Sequence, residues 1–109
     1  MARRRAERVG AQTAIHVGFV GTDDRFTAPL RDFSPFGLSV TTERECKVGT
    51  VLRLGIKIEA DYFRAAAVVR RQFPGGFAVE FLSMTAMDRE LVRRLYQRLH
   101  MAARSPGPG

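Results

Sequence analysis

Apolar and polar positions alternate along most of this chain. Ile15, Val17 and Phe19 fall on one face of residues 12–20, with Ala14, His16 and Gly18 on the other, which is a strand pattern. Gly21-Thr22-Asp23-Asp24 then reads as a hairpin turn. Phe26 to Arg31 resumes an extended segment, where Pro29 hints at an edge or a bulge. Leu38 and Val40 direct a third strand inward, and the polar residues 41–49 read as a loop. The clearest strand is 51–58: Leu52, Leu54, Ile56 and Ile58 face in while Arg53, Gly55 and Lys57 face out. Residues 62–73 hold Ala65, Ala66 and Ala67, which favour helix. Val68, Val69 and the short turns on either side favour a strand instead. Pro74-Gly75-Gly76 makes a tight reversal, after which Phe77, Val79 and Phe81 alternate again.

The period then changes. Leu91, Leu95 and Leu99 recur every fourth residue, with Met84, Met87, Val92 and Tyr96 beside them. Thr85 followed by Asp88 forms a capping box, so a helix is expected at about 86–102. Arg89, Arg93, Arg94 and Arg98 occupy its polar side, with Glu90 placed to pair with Arg94. The Met84 and Met87 pair is expected to lie under this helix. Six short strands with tight turns predict a mainly β fold: a six-stranded antiparallel β-barrel, closed because closure removes exposed edges, with one C-terminal α-helix. The expected organisation is a flexible basic arm at 1–10, a barrel at 11–84, a helix packed on it at 85–103 and a disordered Pro/Gly tail at 104–109.

Composition narrows the picture. With 109 residues the chain supports one domain with its own core, and 45% apolar and 27% charged residues read as soluble and globular. No apolar run approaches the ~18 residues that cross a bilayer. The start is basic but has no apolar signal region, and the single cysteine, Cys46, excludes an internal disulfide; both features predict a cytoplasmic protein. The net charge of +7 is concentrated at the ends: residues 1–8 carry four Arg and one Glu, residues 89–109 five Arg and one Glu, and residues 9–88 are balanced. That distribution points to anionic partners met at the termini.

Candidate chemistry is sparse. His16, His100 and Cys46 lack metal-ligand spacing, so no metal is expected. There is no nucleophile motif and no phosphate-binding glycine loop, which argues against an enzyme and against a bound cofactor. The informative stretch is Leu30-Arg31-Asp32-Phe33-Ser34-Pro35-Phe36-Gly37-Leu38-Ser39-Val40. Pro35 disfavours a regular central strand, and Gly37 permits positive φ or close approach to the backbone. A bent connection carrying a carboxylate and a hydroxyl is expected; the same residues also suit an ordinary turn.

The N-terminal arm changes this reading. Arg-Arg-x-x-x-Arg (Arg3, Arg4, Arg8) followed by Asp-x-Ser-x-x-Gly (Asp32, Ser34, Gly37) resembles the PilZ domain family, over about Arg3 to His100. The resemblance implies a small β-barrel that binds the bacterial second messenger cyclic di-GMP. It assigns Arg3 and Arg4 as the tandem arginines, Arg8 as the third, and Asp32, Ser34 and Gly37 as the rim motif. Arg5 allows a one-residue shift, so the working pair is Arg3/Arg4 or Arg4/Arg5. The ligand's chemistry fits these types. Arginine forks grip phosphate and the O6/N7 edge of guanine, whereas guanine's N–H edge needs an acceptor such as Asp32. Ser34 can add a hydrogen bond, and Gly37 is expected to leave room for base or phosphate. An arm with nothing ahead of it to anchor it would be ordered on binding, at a cost in affinity.

Three functions compete at this point. The first is a cyclic di-GMP receptor coupled to motility, attachment or polysaccharide output through a protein partner, for which the helix's arginine face is one docking candidate. The second is a module of the same fold that works by protein contact and does not bind nucleotide; the motif residues argue against it. The third is nucleic-acid binding, which the charge allows but the inward placement of most aromatics disfavours.

Overall fold

In a computed structural model, residues 13–58 and 60–104 are described. Six strands form β1 (Ala14–Phe19), β2 (Arg25–Ser34), β3 (Gly37–Thr41), β4 (Val51–Ile58), β5 (Asp61–Phe73) and β6 (Gly76–Ser83). One helix, α1 (Ala86–Arg104), follows. Every pairing is antiparallel, and the order β1-β2-β3-β6-β5-β4 closes into a barrel. The expected class is therefore the observed one, and closure leaves no strand edge open.

Alternation builds the core as the sequence pattern predicted. Ile15, Val17, Val40, Leu52, Ile56 and Val69 are fully enclosed. Ala65 and Ala67 point inward on β5, as does Phe63, whose ring meets those of Phe33 and Phe81. Gly21 and Gly75 hold φ of 85° and 89° in the β1–β2 and β5–β6 turns, a conformation that glycine adopts without strain.

Helix α1 closes the barrel end at which β1, β3 and β5 begin, packing against β2 and β5. Val92 and Leu95 are buried to 1% exposure, worth about 1.5–3 kcal/mol each by transfer. Tyr96 meets the Phe33 ring edge-on at 6.4 Å. The cap forms as expected, with the Asp88 backbone N–H donating to Thr85 Oγ1 at 3.0 Å. Two details differ. Glu90 pairs with Arg93, one residue nearer than Arg94, and Met87 points into solvent while Met84 packs on the core. Met87 stands in the first turn, ahead of the point where the helix reaches the barrel.

Cys46 adds to the core from a loop. It lies in the charged 42–50 loop but is 2% exposed, tucked into the core. Its carbonyl accepts from Gln72 Nε2 at 2.6 Å. Burial raises its thiol pKa; nearby Arg44 works against that shift and Asp24 adds to it.

Candidate functional site

Of the three register shifts among β2, β3, β6 and β5, one lies between Ala66 and Ala67, and the other two determine which side chains of the site reach the outer face. On β2, Leu30 pairs with Val40 and Asp32 with Ser39, so Arg31 is the extra residue. Strict alternation from Ala28 and Leu30, both buried, would aim Asp32 into the core. The bulge reverses the phase: Phe33 turns inward onto Phe63, and Asp32 and Ser34 turn outward. On β5 the pairs Val69–Val79 and Arg71–Ala78 leave Arg70 as the extra residue, which moves Arg71 outward in the same way.

The outcome is one transverse row, Asp32–Ser39–Ala78–Arg71, across four strands. At about 4.8 Å per strand the Asp32 and Arg71 backbones stand roughly 14 Å apart, with the Ala78 methyl group in between. Ser39 Oγ donates to Asp32 Oδ1 at 2.7 Å, which orients the carboxylate and leaves Oδ2 without a partner among the described residues. Above the row, the Arg31 guanidinium stacks 4.6 Å from the centre of the Phe73 ring, and Arg71 lies 5.7 Å from the same ring. Gly76 provides the space under that ring, since a side chain there would press on Phe73 and on the Val40 carbonyl. Below the row, Arg70 holds Glu80 at 2.7 Å.

Ser34 and Gly37 face each other where β2 turns into β3 through Pro35 and Phe36. Ser34 Oγ accepts the Phe36 backbone N–H at 3.1 Å, and the Phe36 carbonyl accepts from Phe81, so the turn is pinned at both ends. Gly37 does not adopt the positive φ considered from the sequence. Its missing side chain makes room for β6, because a methyl there would overlap the Val79 carbonyl. The space expected for a ligand at Gly37 is therefore taken by the neighbouring strand.

Arg3, Arg4, Arg5 and Arg8 lie outside the described residues, as do positions 105–109 of the expected tail. The attachment point of the arm is described. The Thr13 carbonyl accepts the Leu30 N–H at 2.9 Å, two positions before Asp32. The chain ahead of β1 thus joins the barrel beside the rim. Ser39, Arg71 and Phe73 complete the site, and sequence reading assigned none of them. Only the strand register reveals them, since β5 is distant in sequence from β2 and β3. Among the described residues no group of three His, Cys, Asp or Glu side chains is arranged to hold a metal ion, and no helix is long and apolar enough to cross a membrane.

A closed six-stranded antiparallel barrel with one C-terminal helix is a PilZ-type architecture. The PilZ domain model matches residues 2–98, and the chain belongs to that family. PilZ domains are in general cyclic di-GMP receptors and adaptors. Among solved structures, the fold is similar to the PilZ domain of CeSA from a cellulose-synthesising bacterium, with a TM-score of 0.64 at 16% identity over 80% of this chain and 91% of that one. It is also similar to an uncharacterised Legionella protein, with a TM-score of 0.58 at 12% identity over 84% of this chain and 90% of that one. No curated protein matches the chain in sequence.

Proposed function

We propose that this chain binds cyclic di-GMP on the outer wall of β2, β3, β6 and β5 and passes the signal on by protein contact. Asp32 Oδ2 accepts the N–H edge of a guanine, with Ser39 holding the carboxylate in place. Arg3, Arg4 and Arg8 close from the arm onto phosphate and the O6/N7 edge. Ser34 and Gly37 shape the rim, while Arg71 and the Phe73 ring extend it towards the second half of the ligand. The downstream process would be motility, attachment or polysaccharide output.

The observation that carries this reading is the Thr13–Leu30 hydrogen bond. Arg8 is five residues from Thr13, a span of up to about 17 Å. Asp32 lies about 8 Å from that junction, by one strand spacing and two residues along β2. The arm can therefore reach the rim without any change in the barrel. A signal could travel through Phe33, which sits between Asp32 and Ser34 in sequence and packs on Tyr96 of α1.

A nucleotide-free interaction module also draws on one observation. Ser34 and Gly37 have structural roles in the bare fold, so they would persist without a ligand. The distinction rests on Asp32 Oδ2, which has no partner among the described residues, and on the arginines of the arm. Titration with cyclic di-GMP and with an unrelated oligonucleotide at two salt concentrations separates the readings. Saturable binding of the dinucleotide alone supports the receptor. Equal binding of both, weakening steeply with salt, indicates a nonspecific polyanion contact.

A further inference from the structure

The opposite wall of the barrel carries a second feature. The outer face of β1, β4 and β5 forms an open groove of about 1080 Å³. Two adjacent rows cross it: Arg25–Gly18–Arg53–Ala66 and Thr27–His16–Gly55–Arg64. Glycine thus stands between arginines in the first row and between His16 and Arg64 in the second. Gly55 has an internal explanation, because the Tyr62 side chain lies across it. Gly18 has none. Its φ is not positive, and an added Cβ would meet nothing closer than Arg53 O at 3.9 Å and Arg25 Cβ at 4.0 Å. A strand glycine costs roughly 0.5–1 kcal/mol, so the gap it leaves is not a packing requirement of this chain.

The charges around the gap make no ion pair among the described residues, although Arg64 lies 5.8 Å from the Tyr62 ring. Arg25, Arg53, Arg64 and Lys57 are exposed and make no ion pair with a described residue, whereas Arg44, Arg70, Arg93 and Arg98 all do. Three carboxylates also line the groove, but they stand at its ends. Asp24 is held by Arg44, Asp23 lies in the β1–β2 turn, and Asp88 accepts the Arg64 backbone N–H at the start of α1. The floor is therefore cationic in the middle and acidic at its ends.

We infer that this wall is a docking surface for an acidic segment of a partner protein. Arg25 and Arg53 are two strands apart, about 10 Å, with a bare backbone between them. That spacing suits two or three carboxylates laid over Gly18, with uncharged residues on either side avoiding the acidic ends. The surface lies across the barrel from Asp32, so docking here does not depend on the nucleotide reading.

The test uses the full chain and a fluorescein-labelled peptide with a central run of glutamates between Gly-Ser ends. The wild type, Asp32→Ala and Arg94→Glu, a charge reversal on α1, are expected to bind alike. Arg53→Glu should lose affinity roughly tenfold or more. Gly18→Thr should lose affinity to a similar degree while melting no lower than the wild type, since threonine suits a strand and has room. The inference is overturned if the wild type fails to bind. The same holds if Arg94→Glu weakens binding as much as Arg53→Glu, if Gly18→Thr binds normally, or if an oligonucleotide competes as well as the peptide.

Discussion

Ser39 is nearly buried, yet its hydroxyl donates a 2.7 Å hydrogen bond to Asp32, a carboxylate on the barrel's outer wall. The pair spans β2 and β3 directly, one strand spacing apart. It fixes which Asp32 oxygen is committed to the protein and which remains for a ligand. Ser39→Ala should therefore weaken cyclic di-GMP binding about three- to tenfold, the worth of one hydrogen bond of roughly 0.5–1.5 kcal/mol. Calorimetry measures the loss, and recovery in Ser39→Thr would show that the hydroxyl positions Asp32 rather than simply filling space.

The direction of Asp32 depends on Arg31. Deleting Arg31 removes the bulge and restores strict alternation, so Asp32 would turn inward and Phe33 outward. Burying an unpaired carboxylate costs several kcal/mol, about 3–5 by analogy with broken buried pairs. The deletion is expected to lower the unfolding midpoint sharply or prevent folding. Arg31→Ala keeps the bulge residue and should melt close to the wild type. Chemical denaturation of the two variants makes the comparison.

Gly37 provides a test in the absence of ligand. Because a Cβ would overlap the Val79 carbonyl, Gly37→Ala should destabilise the apoprotein by about 1–3 kcal/mol, the usual cost of overpacking. A glycine conserved in space only for a nucleotide would leave apoprotein stability unchanged. Thermal melts without ligand decide between these roles.

Cys46 predicts a pH effect. Burial raises its thiol pKa above the unfolded value, so the folded state disfavours the thiolate. The stability tied to this group is complete below the ordinary thiol pKa and is lost as pH rises through the folded one. Denaturation midpoints should fall on the alkaline side, and Cys46→Ala should flatten that part of the profile even though its overall stability is lower. Native protein should also react slowly with a thiol reagent, at a rate set by opening of the 42–50 loop.

Much of the barrel was legible because period-2 alternation and turn residues agree along the chain. Leu52, Leu54, Ile56 and Ile58 on β4 leave only one choice of inner face. The helix was equally legible from Leu91, Leu95 and Leu99 and the Thr85 cap. The bulges were not, because nothing local at Arg31 or Arg70 distinguishes an extra residue from a paired one. Asp32 was found through its motif, and its outward direction comes from the bulge. Arg71 and Phe73 escaped notice because their nearness to Asp32 arises from the β3–β6–β5 register. Gly37 was read as a place where another molecule approaches the backbone, but the approaching group is the protein's own strand.

The most direct test of the central claim is a calorimetric titration of the full chain with cyclic di-GMP, repeated with Asp32→Ala and Arg8→Ala. The account predicts saturable binding by the wild type and at least about tenfold weaker binding by each variant, the equivalent of one charged hydrogen bond, with the Arg8→Ala midpoint unchanged and Asp32→Ala melting somewhat lower because Ser39 loses its acceptor. Undiminished affinity in both variants, or no saturable binding by the wild type, would contradict it.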